Sequence, residues 1–164
     1  MKQNAAITLS TGQIAFLQGN VTMYAATANR AAQPHVAKLA GVRIDAATNQ
    51  ITVFLNAANA DALLADIRGG SAIAVVFCEP GSEKAIQLKS HSADIVALQH
   101  GDHELMASYR DRLVQHIIPL GFSPEMLRCF FSAPLSEAIA LQFTPCEAFD
   151  QTPGPKAGSA LVSA

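Results

Sequence analysis

The chain has 164 residues, of which 50% are hydrophobic and 15% are charged, and its formal net charge is −2. This length and composition suit one folded domain with a real core, and they argue against a disordered segment. The near-neutral charge offers no basic footprint for nucleic acid, and no apolar run approaches the roughly 20 residues of a membrane span.

The N-terminal residues and the cysteines both indicate a cytoplasmic protein. Residues 1–20 show no charged segment that leads into an apolar stretch and a small-residue cleavage site, so we do not expect secretion. Cys78, Cys129 and Cys146 are odd in number and lack metal-ligand spacing. We expect free thiols in a reducing compartment, with a regulatory disulfide as the alternative.

In chain order, the first half of the sequence predicts a short helix, three strands and a second helix. Residues 10–18 begin with helix-capping hydroxyls and end before Gly19. Asn59 is a candidate N-cap for the second helix, which would run through Ile67. Gly41, inside the second strand, indicates a β-bulge or a close backbone approach. The strands are predicted at residues 21–28, 34–44 and 51–56.

The second half predicts three more strands and two inserted helices. One helix would start at Asp102 as N-cap and run to about His116, and Ser123 followed by Pro124 would open the other. Strands are predicted at residues 72–78, within 85–98 and within 137–149. The tail after Phe149 is rich in Pro, Gly and Ala.

These elements predict an α+β protein built on a six-stranded antiparallel split β-barrel with inserted helices. Short turns between strands favour antiparallel hairpins, and a barrel removes most of the sheet edges that an apolar chain would expose. We expect a single domain over residues 1–150, followed by an extended or flexible tail over residues 151–164.

Polar side chains on the predicted strands indicate a site for an anionic ligand. Lys38 and Arg43 lie on the second strand, five residues apart, and a bulge at Gly41 would bring them to one side. Gln87 and Lys89 alternate with apolar residues on the fifth strand. All four side chains could equally be solvated residues on an exposed face.

The order of elements resembles the pyridoxamine 5′-phosphate oxidase-like, FMN-binding split-barrel family. The resemblance covers residues from about 8 to 98 and from about 137 to 155, and an insert at 102–128 also looks like one that members carry. Its motifs are PHVAKLAGVRI, QITVFLNAANADALLADI, AIAVVF, KAIQLKS and QTPG.

The resemblance implies a homodimer that binds FMN in clefts between its subunits. Lys38 and Arg43 would then reach the flavin and its phosphate, and the third strand and the following helix start would contribute Phe54, Asn56 and Asn59. Gln87 and Lys89 complete the implied cofactor-binding set.

The sequence departs from this family at two places. Many members carry a basic pair at the helix start where this chain has Ala60 and Asp61, and a carboxylate there would repel a phosphate. We therefore expect weaker FMN binding than in relatives with that pair. The oxidase's C-terminal segment with Trp and Arg has no counterpart, so vitamin B6 oxidation is not expected.

Two functional classes remain open. The first is an FMN-binding flavoprotein or oxidoreductase with an unknown substrate and unknown catalytic residues. The second is a non-catalytic binding protein on the same scaffold, which holds haem, another small ligand or no cofactor. His35 could serve as an axial or pH-sensitive ligand or as an ordinary structural histidine, and the sequence predicts no metal site.

Overall fold

The computed structural model describes residues 7–161, which contain nine strands and four α-helices. The helices are α1 (Thr11–Leu17), α2 (Asp61–Arg68), α3 (Asp102–Ile117) and α4 (Pro124–Phe130). The first five strands are β1 (Thr22–Ala28), β2 (Pro34–Asp45), β3 (Gln50–Asn56), β4 (Ile73–Cys78) and β5 (Ala85–Ser90). The other four are β6 (Asp94–Val96), β7 (Ala138–Phe143), β8 (Glu147–Asp150) and β9 (Ser159–Ala160).

The strands form one antiparallel sheet in the order β6-β7-β3-β2-β1-β4-β5-β8-β9. The α+β class is confirmed, but the prediction of a six-stranded split barrel is corrected, because the sheet has nine strands and is not closed. The predicted hairpins β2–β3 and β4–β5 are both present, with registers that pair Asp45 with Gln50 and Cys78 with Ala85.

Three additional strands account for the difference. The predicted strand within residues 85–98 is split, because the chain leaves β5 at Ser90 and then pairs as β6 with the opposite end of the sheet. The last predicted strand is interrupted at Pro145, whose missing N–H cannot contribute to a ladder, and it divides into β7 and β8. In the tail, β9 pairs with β8, and Gln151 and Leu161 donate backbone hydrogen bonds to Ala85 and Ala148.

The two faces of the sheet differ in burial. Along β1 and β4, buried and partly exposed residues alternate with the period of two that a strand imposes. The buried face carries the main core, to which both halves of the sheet contribute, as do α1, α2 and α3. We call the opposite face the outer face. Over β3 and β7 it is covered by α3, where Phe54, Met106 and Ala140 form a second, smaller buried cluster.

A β-bulge in β2 confirms the prediction from Gly41. The pairing with β3 shifts between Leu39, which opposes Leu55, and Gly41, which opposes Phe54. A Cβ on Gly41 would lie 3.1 Å from Leu105 and 3.3 Å from Phe54, so the absence of a side chain lets α3 approach β2 closely. The bulge therefore determines the direction of the strand, and Gly41 determines how closely α3 packs against it.

The helix starts follow the sequence in part. Ser10 and Gln13 form a capping box on α1, and Ser123 caps α4 as predicted. The prediction that Asn59 caps α2 is wrong, because Asn59 ends a short 3₁₀ turn and Ala60 occupies the cap position without a side-chain hydrogen bond. The cap of α3 is Gly101 at φ 90°, and Asp102 is the first residue of that helix.

A buried carboxylate attaches α2 to the first hairpin. Asp66 Oδ2 accepts a hydrogen bond from Thr27 Oγ1 at 2.6 Å and lies 2.7 Å from His35 Nδ1. These hydrogen bonds, from Thr27 first and then from His35, hold the pKa of Asp66 below its usual value of 3.8. His35 therefore has a structural partner.

Two further findings concern the described residues. None of the helices within residues 7–161 is long and apolar enough to cross a membrane. Across the same range, Cys78, Cys129 and Cys146 are free thiols, and no three His, Cys, Asp or Glu side chains come together as a set that could hold a metal ion.

Replacing Gly41 by Val should destabilise the fold by about 1–3 kcal/mol, because the added carbons overlap Leu105 and Phe54. Urea unfolding of the variant and the parent measures this difference. Gly12 on the exposed side of α1 has nothing within 4 Å of a Cβ, so Gly12→Val is the matched control and should stay within about 0.5 kcal/mol of the parent. Equal stability of the two variants would contradict the close approach.

Replacing Asp66 by Asn should lower stability at neutral pH, because the variant loses the charge that Thr27 and His35 stabilise. The folded-state pKa is depressed, so the carboxylate's contribution is complete above the unfolded value of 3.8 and disappears as the pH falls below it. The stability difference between parent and variant, from urea unfolding at pH 6 and pH 3, should therefore shrink at the lower pH. A difference that does not change with pH would contradict this account.

Candidate functional site

The β2 bulge places the two predicted cations on one face of the sheet. Leu39 points into the main core, so Lys38 lies on the outer face. Beyond the bulge, Gly41 and Arg43 pair with Phe54 and Thr52 of β3, and this pairing also puts them on the outer face. On a regular strand, two residues five positions apart point to opposite faces. The bulge instead brings Lys38 and Arg43 to the same face.

Lys38 is held by the C-terminal end of α4. Its Nζ lies 3.5 Å from the ring centroids of both Phe130 and Phe131, and it donates a hydrogen bond of 3.2 Å to the Phe130 carbonyl. The rings favour the charged amine through their quadrupoles, whereas burial opposes it and lowers the pKa of Lys38 from 10.5 to about 8. The side chain therefore remains a cation at neutral pH.

A cavity of about 150 Å³ opens beside this ammonium. Three of the residues expected at the cofactor site, Lys38, Asn56 and Asn59, line it together with Arg110 and the two phenylalanines. The Asn56 side chain accepts a hydrogen bond from the Ala58 N–H and donates one to the Pro134 carbonyl. The cavity is otherwise largely apolar, so the Lys38 ammonium, the Arg110 guanidinium and two carboxamides are its main means of fixing a ligand.

Arg43 has a different environment under α3. Its Nη1 donates to Asp102 Oδ1 at 2.9 Å and to the Gln99 side chain, and Asp102 is only 2% exposed. Its guanidinium also lies 6.0 Å from the ring centroid of Phe54, which is fully buried. The charge of Arg43 is thus balanced by a buried carboxylate.

Gln87 and Lys89 also lie on the outer face, but three strands away from β2. The register runs from Lys38 through Tyr24 and Val76 to Gln87, and antiparallel partners share a face. Gln87 accepts a hydrogen bond from Gln151. The Nζ of Lys89 lies 4.7 Å from the ring centroid of Phe149. One subunit therefore does not bring these two residues into the cavity beside Lys38.

The first turn of α2 carries no basic side chain that could bind a phosphate. Asp61 lies in its first turn, the cap residue Ala60 is buried, and the basic residue Arg68 lies in its last turn. Its N–H groups are the favourable element, and the Asp61 carboxylate opposes an anion there.

Sequence reasoning missed the most direct contacts of Lys38. Phe130 and Phe131 lie 92 and 93 residues further along the chain, just after the helical insert at 102–128. The available signal was the consecutive aromatic pair at the end of a short, capped helix, because an aromatic ring can hold a cation on its face.

No protein-family model matches the chain, and no curated protein matches it. Several solved structures are similar to it in fold. A candidate pyridoxamine 5′-phosphate oxidase from Lactobacillus delbrueckii is 15% identical, with TM-score 0.54 over 91% of this chain and 97% of that one. HupZ from Group A Streptococcus is 14% identical, with TM-score 0.53 over 92% of this chain and 100% of that one.

A pyridoxamine 5′-phosphate oxidase-related, FMN-binding protein from Nostoc punctiforme is 17% identical, with TM-score 0.50 over 91% of this chain and 88% of that one. At such identities the likeness concerns the fold. The resemblance inferred from the order of elements is thereby confirmed, and the chain has the fold of the pyridoxamine 5′-phosphate oxidase-like proteins.

Proposed function

We propose that this chain is an FMN-binding flavoprotein that acts as a homodimer. The observation that carries the proposal is the ammonium of Lys38, held by aromatic rings at an apolar cavity that also contains Asn56 and Asn59. A flavin is planar, aromatic and rich in hydrogen-bonding atoms along one edge. A cation at that edge stabilises the negative charge that develops on reduction.

The residues present fit part of such a cofactor. Lys38 would contact its electron-rich edge or its phosphate, and Asn56 and Asn59 would hydrogen-bond its polar atoms. The cavity of about 150 Å³ is smaller than the roughly 300 Å³ at which ligand pockets begin. Binding therefore requires the Phe130 and Phe131 rings to move, and Phe130 is the more exposed of the two, at 60%.

The remaining candidate residues have supporting roles in the proposal. Arg43 and Phe54 lie where α3 meets β2, so they would hold the strand that presents Lys38. Gln87 and Lys89 lie on the outer face, where a second subunit can bring them to the cofactor. FMN, when bound, would supply hydride or electron transfer, and we propose an oxidoreductase without assigning its substrate.

The outer face supports the homodimer. Its uncovered part over β1, β2, β4, β5 and β8 carries apolar side chains that water reaches, with Val36 61% exposed and Tyr24 37% exposed. Contiguous apolar surface of this kind marks an interaction site. The same face also carries the apolar residues Ala26, Ala74, Val76 and Phe149, all partly exposed.

A binding protein without turnover is the second candidate, and specific contacts favour it. Lys38 already has the Phe130 carbonyl as an acceptor, Arg43 is paired with Asp102, and Asp61 opposes an anion at the start of α2. The absorption spectrum of the purified protein separates the candidates. Flavin bands support the first, a Soret band indicates haem, and a colourless protein that refuses FMN supports neither cofactor.

Replacing Lys38 by Gln should raise the dissociation constant of FMN about 10-fold or more, because a hydrogen bond to a charged group is lost. Quenching of flavin fluorescence measures this constant. In the parent, affinity should also fall as the pH rises through about 8, where Lys38 loses its proton, and the variant should lack this dependence.

Lys156→Gln, which removes an exposed cation in the tail, is the control and should bind FMN like the parent. An unchanged dissociation constant and pH profile in Lys38→Gln would show that Lys38 is not the anion contact.

Replacing Val36 by Asp should convert the dimer to a monomer, because a charge would be placed in an apolar interface while the exposed site tolerates it in the free subunit. Sedimentation at micromolar concentration gives the mass. The matched control is Ala46→Asp in the exposed turn between β2 and β3, which should stay dimeric. A parent that sediments as a monomer would refute the homodimer, and a dimer that survives Val36→Asp would place the interface elsewhere.

A further inference from the structure

A second cleft lies between α3 and α4, next to the Lys38 cavity. Its volume is about 520 Å³. Two arginines line it, Arg110 from α3 and Arg128 from α4, together with Asp111, Gln115, Phe131 and Ser132. The cleft is the place on the insert where two guanidinium groups from different helices face a common space.

The two arginines are differently engaged. Arg110 donates from Nε to Asp111 Oδ1 at 3.1 Å, and this pair leaves its terminal nitrogens unused within residues 7–161. Arg128 has no hydrogen-bond or ion-pair partner among the described residues, and it is exposed. Counting Asp111, the cleft carries a net charge of about +1, with several guanidinium N–H groups available for an anion.

The cleft adjoins the Lys38 cavity. Arg110 and Phe131 line both spaces, so a ligand that takes the place of the Phe131 ring can extend from Lys38 to the arginines. Lys38 and the two arginines then provide cations at both ends of one groove. A ligand with an aromatic body and a separate anionic group matches this distribution of charge.

We propose that the cleft between α3 and α4 is the phosphate subsite for the ligand whose aromatic part binds at Lys38, an inference that rests on the proposed flavin binding. It explains how a phosphate is held although the start of α2 presents Asp61 and no cation. Guanidinium groups bind phosphate through paired, charge-assisted hydrogen bonds, which suits a phosphate monoester.

Asp111 is the element that opposes this assignment, and it supplies a test. Its side chain is 72% exposed, so it can turn to water when an anion enters, and solvent screens its repulsion of that anion. Asp111→Asn should therefore tighten FMN binding several-fold, because the repulsion is removed and Arg110 is released.

The main experiment compares FMN with riboflavin, which lacks the phosphate, in the parent, Arg110→Gln and Arg128→Gln. The parent should prefer FMN by about 10-fold or more, and each substitution should remove most of this preference. In Arg128→Gln, which alters only the cleft and not the Lys38 cavity, riboflavin affinity should stay at the parental value. The control is Arg112→Gln on the same helix, since Arg112 donates to Ser108 and lines a different depression. It should keep the preference.

The outcomes distinguish this proposal from the proposed function. If both flavins bind and the preference for FMN survives in Arg110→Gln and Arg128→Gln, the phosphate lies elsewhere and the subsite is wrong. If the parent binds neither flavin, the proposed function is wrong, and inorganic phosphate alone then decides the subsite. Saturable amide shifts confined to α3 and residues 128–132, absent in Arg128→Gln, would support it, and unchanged spectra would overturn it.

Discussion

The close approach of α3 to β2 at Gly41 is the constraint on which the rest of the site depends. Because this residue has no side chain, Leu105 and Met106 of α3 can pack against the strand beside Phe54. The accompanying bulge reverses the faces to which the later side chains of β2 point, so Lys38 and Arg43 lie on the same side of the sheet. The position of α3 in turn determines where α4 returns to cover Lys38.

The two cations on that face have different partners, which decides what each can do. Arg43 balances Asp102, a carboxylate almost without exposure, and moving it away would leave a buried charge without compensation. Lys38 is held by two rings and one carbonyl oxygen, all from a helix end that is partly exposed. These contacts can be exchanged for a ligand without leaving a charge buried and unpaired, so Lys38 is the cation that a ligand can recruit.

Local patterns in the sequence predicted much of this architecture. Runs of apolar, β-branched and aromatic residues located the first four strands, short turns located both hairpins, and the single glycine in β2 located the bulge, because each of these depends on neighbouring residues. The chain passes from β5, near one end of the sheet, to β6 at the opposite end, and local patterns do not predict this change. Nothing local to Ser90 specifies a partner strand more than 40 residues further along the chain.

The functional site was likewise predictable where it depends on neighbouring residues and unpredictable where it depends on distant ones. The family-like spacing of Lys38 and Arg43 identified both cations, and the bulge predicted at Gly41 identified their common face, but neither identified the partners that distinguish them. Phe130 contacts Lys38 across 92 residues of sequence, and Asp102 contacts Arg43 across 59. Asn59 was misassigned for a local reason, since Asn56 accepts from the Ala58 N–H and starts a 3₁₀ turn that shifts the cap of α2 to Ala60.

The central claim is that a ligand must take the place of the Phe130 and Phe131 rings at Lys38, and the NMR signal of the Lys38 Cε methylene tests it most directly. Ring currents from two nearby aromatic rings should displace this signal upfield in the free protein. Adding FMN should move it saturably as the rings leave. A signal at the position of an exposed lysine in the free protein, or one that saturating FMN leaves unchanged, would contradict the account.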